Sequence, residues 1–194
     1  MLGGQQSGHI EAVGFELYTQ MLDRAVREMK GEAAPDEAEI QLNLGLNIRI
    51  PVNYIPEENQ RLRMYKRVAG VETESQLSDV GAELEDRYGE PPAAVRNLLD
   101  YASLKLLAVR VGANAIERKR DLVTIKFRQN AGVDPGKLAQ FVSSQRGAQF
   151  TPDGMLKFSL KATAAEEVLD HLETLLEKLA GEVPETAATS EKVS

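Results

Sequence analysis

Cysteine is absent from all 194 residues, which excludes disulfides, thiolate zinc sites and cysteine nucleophiles together. Nothing argues for an oxidising compartment, and a cytoplasmic setting fits. Histidine is nearly absent as well. His9 and His171 are far apart in sequence and lack the spacing of an HExxH helix, so both are expected at the surface and no metal site is expected. No apolar run approaches the roughly 20 residues that span a bilayer, and "MLGGQQSG" has neither the basic nor the apolar region of a signal peptide. No membrane contact is expected. Positive charge is in short supply: 23 Lys and Arg against 30 Asp and Glu give a net charge of -7. That balance disfavours a domain whose main task is to cover phosphates.

Catalytic signatures are missing too. "GVDPGKL", residues 132–138, has three residues between its glycines and Leu138 after the lysine, where a phosphate loop needs four and a Ser or Thr. Asp134 there reads as a helix cap. Ser7, Ser143 and Ser144 lie outside any G-x-S-x-G elbow, and Ser7 reads as an N-cap with Glu11 near the positive helix end.

What is present is an ordinary globular composition, with 42% hydrophobic and 27% charged residues and enough length for a real core. Ile10, Val13, Leu17, Met21, Ala25 and Met29 line one face of a helix that Gly31 can end. The acidic stretch "EAAPDEAE", residues 32–39, reads as a linker, with a boundary near Ala34. From Ile40 to Ile50 the apolar period is two, which predicts one long half-buried strand stopped by Pro51. Pro56 suits a first helical position, with Leu62, Tyr65 and Val68 or Ala69 facing inward. Thr73 and Gln76 have capping-box spacing ahead of a helix ended by Gly89. Val95, Leu98, Leu99, Ala102, Leu106 and Val109 mark a long central helix stopped near Gly112.

Beyond Gly112 the pattern gives two strands around a turn at 119–121, a short helix opened by Asp134 and Pro135, and a second hairpin turning at Thr151 to Gly154. Thr163 and Glu166 have capping-box spacing for a last helix bearing Leu169, Leu172, Leu176 and Leu179. Residues 182–194 read as a disordered tail. The expected class is α+β: a small mixed or antiparallel sheet with several packed helices, preceded by a separate amphipathic helix. The expected units are 1–34, 35–181 and the tail.

Charge is distributed unevenly. From Glu72 to Glu90 there are seven carboxylates with only Arg87 in opposition. Asp79, Glu83 and Asp86 stand at i, i+4 and i+7, opposite the apolar stripe of Leu77, Val80 and Leu84, so they form one anionic face. A rigid anionic face can receive an arginine-bearing partner, although solvated surface explains many such faces. Two basic clusters also occur, "RLRMYKR" at 61–67 and "ERKR" at 117–120, the latter extended by Lys126 and Arg128. A solvated helix face and a charged hairpin turn account for both. The alternative is direct DNA binding through Arg61, Arg63, Lys66 and Arg67 together with the N-terminal glycine-rich turn and its helix.

The opening "LGGQQSGHIEAVGFELYTQML" resembles the segment after the last helicase motif of the transcription-repair coupling factors, bacterial DNA translocases related to RecG. "NYIPEENQRLRMYKRVA", "LEDRYGEPPAAVRNLLDYASLK" and the following hairpins are similar to the C-terminal domain of that family. The resemblance runs from Leu2 to Gly181 and implies a fragment of a longer motor. Leu2 to Gly8 would then be the tail of the motif that couples ATP hydrolysis to movement on duplex DNA, with Gln6 as the coupling residue. ATP and magnesium belong to the full-length family. This chain shows no Walker A lysine, acidic metal motif or helicase arginine motif, so no cofactor and no catalysis are expected of it alone.

The same resemblance implies a regulatory role. The C-terminal domain would pack on the UvrB-like N-terminal module and hide the surface that recruits UvrA until the motor engages a stalled RNA polymerase. Glu83 and Asp86 match an acidic pair of the family motif, and Asp79 extends the same face. Exposed pairs of this kind contribute on the order of 1 kcal/mol or less each, as a releasable contact requires. A DNA-binding accessory domain of a RecG-like helicase is the other reading.

Overall fold

The computed structural model describes residues 40–181; the expected first helix, Gln6, Ser7, His9 and the tail 182–194 lie outside the described residues. Ten elements follow one another: β1 (Gln41–Asn43), α1 (Glu58–Ala69), α2 (Glu74–Tyr88), α3 (Ala93–Arg110), β2 (Ala113–Lys119), β3 (Leu122–Phe127), α4 (Pro135–Ser144), β4 (Gln149–Phe150), β5 (Met155–Ser159) and α5 (Ala165–Leu179). The strands form one mixed sheet in the order β1-β2-β3-β5-β4. β1 runs parallel to β2, which demands a long crossover, and α1, α2 and α3 supply it. The other pairings are antiparallel hairpin contacts. The α+β class expected from the pattern is the one observed.

Register explains the core. Leu42, Ile116, Ile125, Leu156 and Phe150 stand opposite one another across all five strands. The first four are buried and Phe150, on the edge strand, is exposed. On the other face a polar row runs Asn43, Glu117, Thr124, Lys157 and Gln149. The apolar face packs under the helices, where α5 contributes Val168, Leu169, Leu172 and Leu176, all almost fully buried. Each such side chain stabilises by about 1.5–3 kcal/mol through burial.

The segment 40–50 departs from the expected single strand. Only Gln41–Asn43 pairs with β2, yet burial alternates without a fault from Ile40 to Ile50. The reason is Gly45, whose φ of +67° turns the backbone out of the ladder in a conformation that glycine adopts without strain. Beyond it the alternation of buried and exposed residues continues to Ile50. Tyrosine hydroxyls bond the backbone around this strap. Tyr101 Oη donates to Leu42 O at 3.1 Å, and Ile50 N donates to Tyr65 Oη at 2.5 Å.

The helices mostly begin and end where their chemistry dictates. Thr73 Oγ1 accepts from Gln76 N at 3.2 Å, and Gln76 Oε1 accepts from Glu72 N at 2.8 Å, a close relative of the capping box. Asp134 Oδ1 caps α4 through Lys137 N at 2.9 Å. Gly112 ends α3 with φ +77°, and a Cβ there would come within 2.7 Å of Ala131 Cα.

Three helix expectations need correction. Pro56 precedes Glu57, the N-cap of α1, and that helix buries Arg61 and Met64 with Tyr65 and Val68, leaving Leu62 half-buried. In α3 Val109 is exposed while Leu104 and Leu107 are buried, because this helix packs against α1, α2, α5 and β2 and buries a wide arc. The capping box expected at Thr163 does not form: α5 has Ala164 as N-cap with no side-chain hydrogen bond. Ala162 is buried and its carbonyl accepts from Arg118 Nη2. That anchor delivers the chain so that Thr163 stays one position outside the helix.

Candidate protein-docking face

On α2 the burial sequence separates core from surface: Val80 and Leu84 are buried, while Asp79 and Asp86 are exposed and Glu83 is half-buried. The three acids therefore share the outward face, as their spacing requires. The structure adds something the spacing did not contain. Arg67, from the last turn of α1, forms an ion pair with Glu83 Oε2, and Arg87 Nη1 holds Oε1 at 2.8 Å. Both oxygens of Glu83 are engaged from within the domain, whereas Asp79 makes no ion pair among the described residues.

The face is braced from behind. Arg87 lies 5.3 Å from the centre of the Tyr88 ring, and Tyr88 Oη donates to Gln60 Oε1 on α1 at 2.9 Å. Tyr88 also packs at 5.9 Å against Tyr54, whose hydroxyl shares its proton between Leu84 O at 2.9 Å and Gly89 O at 2.8 Å. Burial raises the Tyr54 hydroxyl's pKa, and Glu85 and Tyr88 add to that. Between α1 and α2 lies an open cleft of about 360 Å³, with Lys66 and Arg67 on one rim, Gln76 and Asp79 on the other, and Val71 and Val80 among its lining.

The first basic cluster is dispersed by folding. Arg61 is 5% exposed and its Nη1 donates to Ile55 O and Pro56 O, both at 2.7 Å. Arg67 is on Glu83, and Arg63 Nε reaches Asn59 O at 3.3 Å. Only Arg63 and Lys66 of the four remain turned to solvent without a carboxylate among the described residues. In the second cluster Arg118 holds Ala162, the exposed Lys119 has its Nζ 3.4 Å from Glu117, and Arg120 sits in the turn with φ +57°.

The phosphate-loop look-alike also has a mechanical role. Lys137 Nζ donates to Ala180 O at 2.9 Å, Asp134 N to Leu179 O at 2.9 Å and Gly181 N to Gly132 O at 2.8 Å. The loop thereby satisfies the C-terminal carbonyls of α5. His171 is exposed, its Nδ1 2.9 Å from Glu167 O. Among the described residues no group of His, Asp or Glu is arranged to hold a metal ion, and no helix is long and apolar enough to cross a membrane.

A second acidic group, unremarked in the sequence, lies in the seam of α3 and α5. Desolvation raises the pKa of Asp100, with Glu166 and Asp170 adding to it and Arg96 opposing. Desolvation also raises Glu173, against a hydrogen bond with Ser103 and with help from Asp100, Glu177 and Asp170. The residues come from helices about 70 positions apart, so no local spacing could have revealed them.

Fold and surface together define an α+β domain with a charged helix face on α2. The sequence profile of the TRCF domain matches residues 44–138. A transcription-repair-coupling factor of Staphylococcus haemolyticus is 33% identical over 185 residues, 93% of this chain and 16% of that protein. One from Haemophilus influenzae is 34% identical over 163 residues, 81% of this chain and 14% of that protein, and one from Staphylococcus epidermidis is 40% identical over 136 residues, 69% and 12% respectively. The chain thus spans less than a fifth of the length of these relatives. The crystal structure of the C-terminal domain of a transcription-repair coupling factor superposes with a TM-score of 0.63 at 24% identity, covering 73% of this chain and 92% of that one. The chain belongs to the transcription-repair-coupling factor family, and its described part has the fold of that family's C-terminal domain.

Proposed function

We propose that this domain is the regulatory, protein-binding end of an ATP-dependent DNA translocase that couples transcription to nucleotide excision repair. It docks on the UvrB-like N-terminal module of the same protein and covers the surface that recruits UvrA until the motor meets a stalled RNA polymerase. The observation that carries the reading is the alignment of Asp79, Glu83 and Asp86 on the outward face of α2, fixed in place by the buried Val80 and Leu84. Family membership supports it. Hydrolysis of ATP with magnesium, and contact with duplex DNA, belong to the motor; Gln6 is the residue of this chain that joins its coupling motif.

Arginines on the module would meet Glu83 and Asp86 of α2 in exposed, charge-assisted hydrogen bonds. Each is worth on the order of 1 kcal/mol or less, so several together hold and each can be released. The test is calorimetric titration of the chain, and of a Glu83→Arg, Asp86→Arg double variant, with the UvrB-like module. The double variant should lose at least tenfold in affinity. Equal binding by both proteins removes the docking assignment. Retained affinity for duplex DNA that falls steeply with salt would transfer the role to nucleic acid instead.

A further inference from the structure

Resting on that docking reading, we propose that Arg67 is a competitor built into the domain for the partner's arginine, and that Asp79 is the seat to which Arg67 moves when the partner docks. Docking is then an exchange of cations along α2.

The geometry makes exchange necessary. Glu83 already has a guanidinium on each oxygen, Arg67 on Oε2 and Arg87 on Oε1. One carboxylate with two guanidinium groups carries a net positive charge, so a third cation is repelled until one leaves. Arg87 is the less free of the two. It sits one turn from Glu83 on the same helix and lies over the Tyr88 ring. Arg67 reaches across from another helix, α1, and the two side chains are about equally exposed, at 47% and 49%.

A destination for Arg67 is present. Asp79 lies one turn before Glu83 on the same face, about 6 Å along the helix axis, and lines the same cleft as Arg67. It makes no ion pair among the described residues. The cleft has room for the swing, and Val71 and Val80 in its lining can cover the methylene stem of the moving side chain. In the free domain Arg67 neutralises Glu83; in the docked domain it neutralises Asp79 and leaves Glu83 to the partner. Asp79 therefore acts on affinity through Arg67 rather than by touching the partner.

The test is a double-mutant cycle on the chain, titrated with the UvrB-like module at fixed low salt. Arg67→Gln should bind about two- to fivefold more tightly than wild type, since the competitor is gone. Asp79→Asn should bind more weakly by a similar factor, and the Arg67→Gln, Asp79→Asn double variant should bind like Arg67→Gln. Arg67→Lys, which keeps the charge but loses the fork, should fall between wild type and Arg67→Gln and stands in should the glutamine variant unfold. Equal or weaker binding by Arg67→Gln overturns the competitor role. An equal loss from Asp79→Asn in both backgrounds means direct contact with the partner and overturns the seat. In either case the docking reading survives provided Glu83→Arg, Asp86→Arg weakens binding at least tenfold. No binding by wild type, or undiminished binding by that charge-reversed variant, fails the docking reading and the exchange with it.

Discussion

At the sheet end the domain is closed by carbon: Leu42, Ile116, Ile125 and Leu156 stand in one buried row across the strands. The corner formed by residues 44–89 also has an apolar interior, but its turns and helix ends are tied by polar side chains. Tyr65 holds Ile50, Arg61 holds Ile55 and Pro56, Tyr54 holds Leu84 and Gly89, and Arg67 ties α1 to α2. Burial is non-directional and tolerates small shifts, whereas a tyrosine or guanidinium bond fixes an atom to an atom. A scaffold can be built in the first way. A face that must present three carboxylates at fixed spacing needs the second.

Substitutions separate the two regimes by size. The largest loss should come from the sheet: Ile125→Ala removes a fully buried side chain and should cost about 3–5 kcal/mol, read as the drop in unfolding free energy in urea. Next is Arg61→Met, which leaves two carbonyls of the 55–56 turn without their donor while filling much of the same space. About 2 kcal/mol should be lost, and the loosened turn should also weaken docking, which Ile125→Ala should not do while the protein remains folded. Tyr65→Phe strips Ile50 N–H of its buried acceptor. About 1–2 kcal/mol should be lost, with the Ile50 amide exchanging faster than those of β3.

The smallest effect is that of pH on the seam of α3 and α5. Asp100 and Glu173 have raised pKa values in the folded domain, so the folded state holds more protons than the unfolded one between the ordinary carboxylate values and the raised ones. Through these two groups stability falls as pH rises through that window, and the penalty is fully relieved only below the unfolded values. Asp100→Asn combined with Glu173→Gln should flatten this part of the pH dependence of the urea midpoint from the ordinary carboxylate range upward. An unchanged slope would show that the seam does not couple folding to protons.

What the sequence made legible follows the same division. Helices α2, α3 and α4 and both hairpins were readable because apolar period and capping residues are local signals: Thr73, Asp134 and the alternation of Val123, Ile125 and Phe127 act within a few positions. The strand at 40–50 was half readable, since burial preserved its period to Ile50 while its pairing with β2 stops at Asn43. Thr163 misled because a cap depends on where Ala162 is anchored, and that anchor comes from Arg118 in another strand. On the candidate face the acids were visible from their spacing along one helix. Their internal partner was not, because Arg67 lies sixteen positions before Glu83 on another helix and reads locally as part of a basic cluster.

The most direct test of the account is a charge swap across the proposed contact. The Glu83→Arg, Asp86→Arg chain is titrated with a UvrB-like module whose contacting arginines are replaced by glutamate. Binding lost by each altered protein toward its normal partner should return, at least in part, when the two altered proteins meet. If the altered chain instead keeps full affinity for the unaltered module, the α2 face is not where the domain docks.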